Sequence, residues 1–384
     1  MNGRIQVEKV GFGPELAGLE DEWEELHKNS VRPTIFSTFD YVYTSCLHFK
    51  GSEDVFFLLL RDAGTQSLLA VFPLSVWSRK IHHVGLKVVS HGLTPNATEV
   101  DKPCPIIDRS REAECWTRFC EYLKTEFTSW DMIEFDELIA GSYLPHNLSK
   151  LFSFPRYFNR MKAGPDSPII NLGGEWEEFW GRHRKLRKRC RRLERALGEN
   201  LSYRITSDPA DLEQCLGQYI ETEIRSWKEG EMVARHRNFY QELLPKLMGK
   251  GQLYFGMMHD RDTVVSIEVA YVYLDRVYFC HGTYSPAYAD MSPGMVNSCW
   301  FIKNFHGKGF VEGDYLAGFA DYVNPWASRL ERTENVVVRK MSWKNGYLAG
   351  FHLAKKVKIM LKSISKKQPP DLCPETVPQP VAEL

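Results

Sequence analysis

Three side chains that can take up a proton sit in one late stretch of the chain: Glu268, His281 and Asp314. Glu268 interrupts the apolar run Val264, Val265, Ile267, Val269; His281 follows Val277–Cys280; Asp314 stands beside Tyr315. An imidazole or carboxylate within hydrogen-bond reach can draw the proton from an attacking amine or hydroxyl. Tyr284, Tyr288 and Tyr322 are phenols able to return a proton to a leaving group. His281 and Asp314 rank ahead of Glu268, for which alternation toward solvent along a strand is the competing reading. No Ser-His-Asp order, HExxH, Walker loop or paired metal-ligand spacing is present. Hydrolase and metalloenzyme readings therefore have no support, and no metal is expected.

The same stretch contains a well-marked helix start. Val277–Cys280 reads as a strand, and Ser292-Pro293-Gly294 opens a helix that stops before Gly307. Ser is a favoured N-cap and Pro a favoured first helical residue. A short strand over Phe310–Tyr315 follows. The first helical amides, around Ser292, Pro293, Gly294, Met295 and Val296, lack intrahelical acceptors and lie at the positive end of the dipole, which suits an anion such as a diphosphate. Alternatively, the motif merely caps a packing helix.

The segment Gly282-Thr-Tyr-Ser-Pro-Ala-Tyr288, then Ser292-Pro-Gly294, a helix, a Gly and an acidic strand, resembles the cellulose-biosynthesis type of acetyltransferase. These proteins belong to the GNAT superfamily and are related to the FemAB peptidyltransferases. The resemblance spans about Pro168 to Trp326. It implies that the diphosphate of acetyl-CoA or another acyl-CoA sits near Ser292–Val296. It also implies that a backbone amide stabilises the oxyanion, with His281, Asp314 or Glu268 as base and a Tyr as acid. Where many members carry Tyr-Lys and a nearby Trp, this chain has Tyr322-Val323-Asn324-Pro325-Trp326. The run Glu221 to Lys228 resembles the acceptor-side helix of these families, which assigns Arg225 and Trp227 to substrate binding; Tyr284 is a further candidate for it. Glu223 has a competing role in a surface ion pair with Lys228 or Arg225. The acceptor implied is a small-molecule or polysaccharide precursor of the cell envelope. The alternatives are a FemAB-like transferase using aminoacyl-tRNA and a non-catalytic GNAT scaffold. No paired insertion of long helices is legible, which argues for acyl-CoA over tRNA.

The 384 residues suffice for two domains. Lys plus Arg and Asp plus Glu both number 49, so overall charge does not favour nucleic acid. No apolar run approaches a bilayer span, the first residues lack a signal core, and nine scattered cysteines without CxxC spacing suit a reducing cytoplasm.

The elements that must hold the candidate site predict an α/β (α+β) protein of two tandem GNAT-like domains, each a mixed, mostly antiparallel sheet flanked by helices. The first, residues 1–160, begins with a strand over Ile5–Val10, a helix over Pro14–Asn29 and a helix over Phe39–His48. A hairpin turning at Asp62, a strand over Val84–Ser90, a helix over Ser110–Phe127 and a strand over Asp131–Phe135 follow. Residues 152–166 read as irregular. The second domain, 166–340, opens with a strand over Pro168–Leu172 and one long helix over Glu175–Leu197, whose exposed face is crowded with Arg and Lys. That face is either solvated or meets a phosphate-bearing partner. A basic amphipathic helix over 341–366 is expected to pack on the catalytic domain, with peripheral contact to an anionic membrane as its other role. Residues 367–384 are expected to be disordered.

Overall fold

The computed structural model describes residues 4–49, 54–92, 102, 104–231, 233–317, 326–348 and 350. The chain runs β1 (Ile5–Gly11), α1 (Pro14–Ala17), α2 (Glu20–Lys28), α3 (Phe39–Phe49), β2 (Asp54–Asp62), β3 (Leu68–Ile81), β4 (Val84–His91), β5 (Ile106–Ile107) and α4 (Glu112–Thr125). Then come β6 (Met132–Ile139), α5 (Tyr143–Leu151), β7 (Tyr157–Ala163), β8 (Ser167–Asn171), α6 (Trp176–Arg182), α7 (Arg184–Leu197), β9 (Leu201–Thr206), α8 (Leu212–Arg225) and α9 (Arg237–Gly249). The last are β10 (Leu253–Asp260), β11 (Thr263–Tyr273), β12 (Arg276–Tyr284), α10 (Pro293–Phe305), β13 (Glu312–Asp314), β14 (Arg329–Glu331) and β15 (Thr333–Lys340).

Two mixed sheets result, ordered β1-β2-β3-β4-β6-β15-β7, with β5 on β3, and β14-β8-β13-β12-β11-β10-β9. A repeat is visible in them. In the first sheet the helices α1, α2 and α3 separate β1 from β2, three antiparallel strands follow, and α4 crosses over to the parallel strand β6. In the second, α8 and α9 separate β9 from β10, three antiparallel strands follow, and α10 crosses to the parallel strand β13. One apolar core is shared by the two: Trp23, Phe36, Tyr41 and Phe57 of the first unit pack with Tyr219, Phe239, Tyr271 and Tyr278 of the second. A second cluster lies under α4, and a third lies between the second sheet and α6, α7 and α10.

Several local expectations change. Residues 152–166 contain β7, which pairs antiparallel with β15 and draws residues 333–340 into the first sheet. The long helix breaks at His183, whose ψ of 65° leaves the helical range, and the Arg187 guanidinium binds the carbonyls of Trp180 and Gly181 there. The helix over Pro14–Asn29 is interrupted between Ala17 and Glu20. Residues 343–348 are helical, and Leu348 packs on Leu86, Val88 and Met132 of the first sheet rather than on the second. The remainder of the expected basic helix and the tail 367–384 lie outside the described residues.

Candidate active site

The centre of the second sheet opens on one side. β12 pairs antiparallel with β11 along its length, but its parallel pairing with β13 is confined to Arg276–Tyr278 against Glu312–Asp314. Among the described residues no strand pairs with β12 on that side beyond Tyr278. The Ser285 amide donates to the Val265 carbonyl at 3.0 Å, which fixes the alternation. Backbone groups of Thr283 and His281 therefore point at β11, and those of Gly282 and Tyr284 point at the open side. Between Val269↔His281 and Ala270↔Phe279, β12 holds one extra residue, Cys280. This bulge carries His281 onto the face opposite Phe279, where strict alternation would not have put it.

The open edge leads into the start of α10. Ser292 occupies the N-cap position in a left-handed conformation (φ 56°, ψ 51°), and its side chain makes no capping bond, contrary to the expected role. The Val296 amide binds the Ser292 carbonyl at 3.3 Å, while the amides of Gly294 and Met295 precede the first intrahelical acceptor. The first turn contains no acid. Pro293 and Val296 are buried; Ser292, Gly294 and Met295 are half-buried. A side chain at Gly294 would place its first carbon 3.4 Å from the Tyr284 ring. A side-chain-free backbone is thus held beside an aromatic face, and Arg189 of α7 reaches the same turn, its Nη1 2.8 Å from Met295 Sδ. Amides, dipole and guanidinium together fit a diphosphate.

The candidate bases do not converge. His281 is 8% exposed and faces α8 and α9, with Nε2 2.9 Å from the Tyr240 hydroxyl and its ring edge-on to Tyr219 and Tyr240. Glu268 lies on the other face, beneath α10, where its Oε1 accepts from Ser298 Oγ at 3.0 Å. It does not alternate toward solvent. Burial lifts its carboxyl to about 8, against the Ser298 hydrogen bond and the Lys228 charge. Asp314 is fully buried in an ion cluster: Lys102 Nζ is 2.7 Å from Oδ2, Arg276 Nη1 3.6 Å from it, and the Leu316 amide donates to Oδ1. Glu331 shares Lys102 at 2.9 Å. Burial, which would lower the Lys102 ammonium, is outweighed by Asp314 and Glu331, which raise it. Such a surround suits a structural charge better than a base that must exchange protons. Tyr322 lies outside the described residues, and Tyr288 donates to Asp260 Oδ2 at 3.0 Å.

On the acceptor side, Arg225 lines a cavity of about 260 Å³ with Gln218, Glu221, Thr222, Thr263 and Ser285. Trp227 is 72% exposed, and Tyr284 is half-buried against Gly294. Two residues of this region were not singled out by sequence in these roles. Glu223, far from pairing on the surface, is fully buried and accepts the Val233 and Ala234 amides at 3.2 and 2.7 Å, pinning the loop after α8. Lys228 is 7% exposed and donates to the Gly282 carbonyl at 2.7 Å, on the open side of β12. A lysine just past a helix end gives no sequence signal of that burial, whereas the Glu223 amphipathic position, four residues from Tyr219, could have been read as internal.

Residues 181–322 match the model of the acetyltransferase (GNAT) domain. Among curated proteins none matches the chain significantly. Solved structures similar in fold include FemX, at 12% identity and TM-score 0.56 over 86% of this chain and 96% of that one. Another is the C-terminal domain of a protein described as a lysylphosphatidylglycerol synthetase from Agrobacterium fabrum, at 9% identity and TM-score 0.53, covering 88% and 96%. A third is a conserved Bacteroides thetaiotaomicron protein of unknown function, at 10% and 0.52, covering 87% and 100%. At these identities the likeness is one of fold. What residues 181–322 match is thus an acetyltransferase (GNAT) domain, and that match supports an acyltransferase.

Proposed function

We propose that the second unit transfers an acyl group, most simply acetyl, from acyl-CoA to an amine or hydroxyl of a cell-envelope or exopolysaccharide precursor in the cytoplasm. The finer kinship proposed is with the cellulose-biosynthesis type. One observation carries the reading: a strand edge left open beyond Tyr278 is followed, after a 3-10 segment over Pro286–Met291, by a helix whose first turn holds no acid and is served by Arg189. An acyl-CoA supplies the activated thioester. In this proposal the amides of Gly294 and Met295 hold its diphosphate, with Ser292 and Pro293 shaping the turn and Val296, its amide bound to the Ser292 carbonyl, anchoring it. The outward amides of Gly282 and Tyr284 are the donors available to a carbonyl oxygen gaining charge.

His281 is the assigned base. It takes the proton of the attacking nitrogen or oxygen, and Tyr240 fixes the ring that does so. The bond to sulfur breaks as the new amide or ester bond forms, and the thiolate is protonated by a phenol, with Tyr284 nearest the cradle and Tyr322 the other candidate. Glu268 and Asp314 support the frame: one beneath α10, the other tying β13 to Lys102. Arg225 and Trp227 receive the acceptor, beside the 260 Å³ cavity that Arg225 lines.

A FemAB-like transferase using aminoacyl-tRNA is the rival within enzymes, favoured by the likeness to FemX in fold. Against it, the described residues contain no inserted pair of long helices; α6 and α7 are one helix broken in the middle. Retention of radiolabelled acetyl-CoA, compared with charged tRNA, separates the two. Release of free CoA thiol with candidate acceptors separates both from a non-catalytic scaffold, which would bind without turnover.

A further inference from the structure

The chain as a whole is formally neutral, yet α7 carries eight basic residues and one acid in fourteen positions. Its apolar stripe, Leu186, Cys190, Leu193 and Leu197, is spent on the protein's interior. Arg184, Lys185, Lys188, Arg191, Arg192 and Arg195 all remain exposed. At 100° per residue they span roughly a third of the helix circumference along about 17 Å. Among the described residues, Arg184, Lys185, Lys188, Arg191 and Arg192 make no ion pair. The nearest relief is upstream, where Arg182 lies 3.6 Å from Glu178. Like charges four apart, as at Arg184/Lys188, Lys188/Arg192 and Arg191/Arg195, repel. A surface of negative charge would remove that repulsion.

The rim of the core cluster on which α7 packs helps choose the surface. Trp176 and Trp180 of α6 and Trp300 of α10 are half-buried around the same core cluster. Lys303 Nζ sits 5.1 Å from the Trp300 ring and 5.8 Å from the Trp176 ring. Indoles with one edge packed and the other exposed, among cations, are the combination suited to lipid headgroups. Because the apolar stripe faces inward, the contact is electrostatic and peripheral, with nothing inserted.

We propose that α7, with its Trp fringe, is a docking surface for an acidic phospholipid bilayer. It holds the start of α10 near the membrane face, since Arg189 of α7 touches Met295 there. This contact is independent of whether acyl transfer occurs.

The test is co-sedimentation of the full chain with phosphatidylcholine vesicles, with and without phosphatidylglycerol. The protein should pellet only with the acidic vesicles and be released as salt approaches about 0.5 M. Lys188→Glu with Arg195→Glu should weaken binding at least about tenfold. Each new Glu meets basic neighbours three and four residues away, so the fold should be kept, as circular dichroism would verify. Lys355→Glu with Lys358→Glu should leave most binding intact. Equal binding to neutral vesicles overturns the proposal, as does loss of binding only in the Lys355/Lys358 variant. Tighter retention by a mixed RNA pool than by acidic vesicles overturns it in favour of a nucleic-acid surface.

Discussion

The two repeats share their strand order and differ where the strand meets the crossover helix. In the first, β4 pairs with β6 through Val88–Ser90, nearly to the end of the strand at His91, so the edge is closed. In the second, β12 is paired with β13 only at its beginning and six residues run on beyond the last such pair. The helices differ in the same sense. α4 starts with Glu112 and Glu114, the latter bound to Arg111 at 2.7 Å, so its positive end is already answered. α10 starts Pro-Gly-Met-Val, with Arg189 alongside. One topology thus yields a self-satisfied scaffold in one copy and a site fit for an anion in the other. Fold alone does not make a site; the open edge and the residues of one helical turn do.

The largest expected effect is on stability and lies at equivalent positions of the two parallel strands, Asp314 opposite Tyr278 and Glu134 opposite Ser90. Asp314→Ala leaves Lys102 and Arg276 facing a lost partner in the interior and should cost about 3–5 kcal/mol in urea denaturation. Glu134→Ala exposes only a partly solvated pair with Arg79 and should cost about 1 kcal/mol or less. Equal costs would break the comparison.

Next comes turnover. His281→Ala should lower acyl transfer about a hundredfold or more and leave acetyl-CoA affinity unchanged. His91, near the end of β4, is bound to the Asp136 carbonyl and held down to about 4 by burial, so His91→Ala should leave turnover near wild type. Loss of CoA binding in His281→Ala would remove it from the base role.

A smaller effect concerns pH. Burial raises the Glu268 carboxyl from 4.5 to about 8, so the folded state holds a proton that the unfolded chain gives up. The stability this proton contributes is whole below about 4.5 and is lost as pH rises toward 8. Glu268→Gln should flatten that decline. Melting temperatures of both proteins across this window check it, and parallel slopes would contradict it.

Much of the fold was legible because its signals are local. The hairpin at Asp62, whose carboxylate binds the Gly64 and Thr65 amides, and the helix start at Pro293 are set by a few adjacent residues. What stayed hidden depends on distant partners. β7 is mostly exposed and becomes a strand by pairing with β15, far along the chain. Asp314 looks like a base until Lys102, 212 positions away, is found against it. The facing of His281 turns on one extra residue at Cys280, which no periodicity reveals. Within the candidate site, the helix start was readable, whereas the acceptor-side burial of Lys228 and Glu223 came only with the folded loop.

The central claim is most directly tested at the third residue of each crossover helix, Met295 in α10 and Glu114 in α4. Calorimetric titration of acetyl-CoA should give one binding event in the wild type and about tenfold weaker binding in Met295→Glu, whose helix start is otherwise stabilised by the acid. Glu114→Met should bind as wild type, since β4 offers no open edge. Absence of binding in the wild type, or an unchanged affinity in Met295→Glu, would contradict the account.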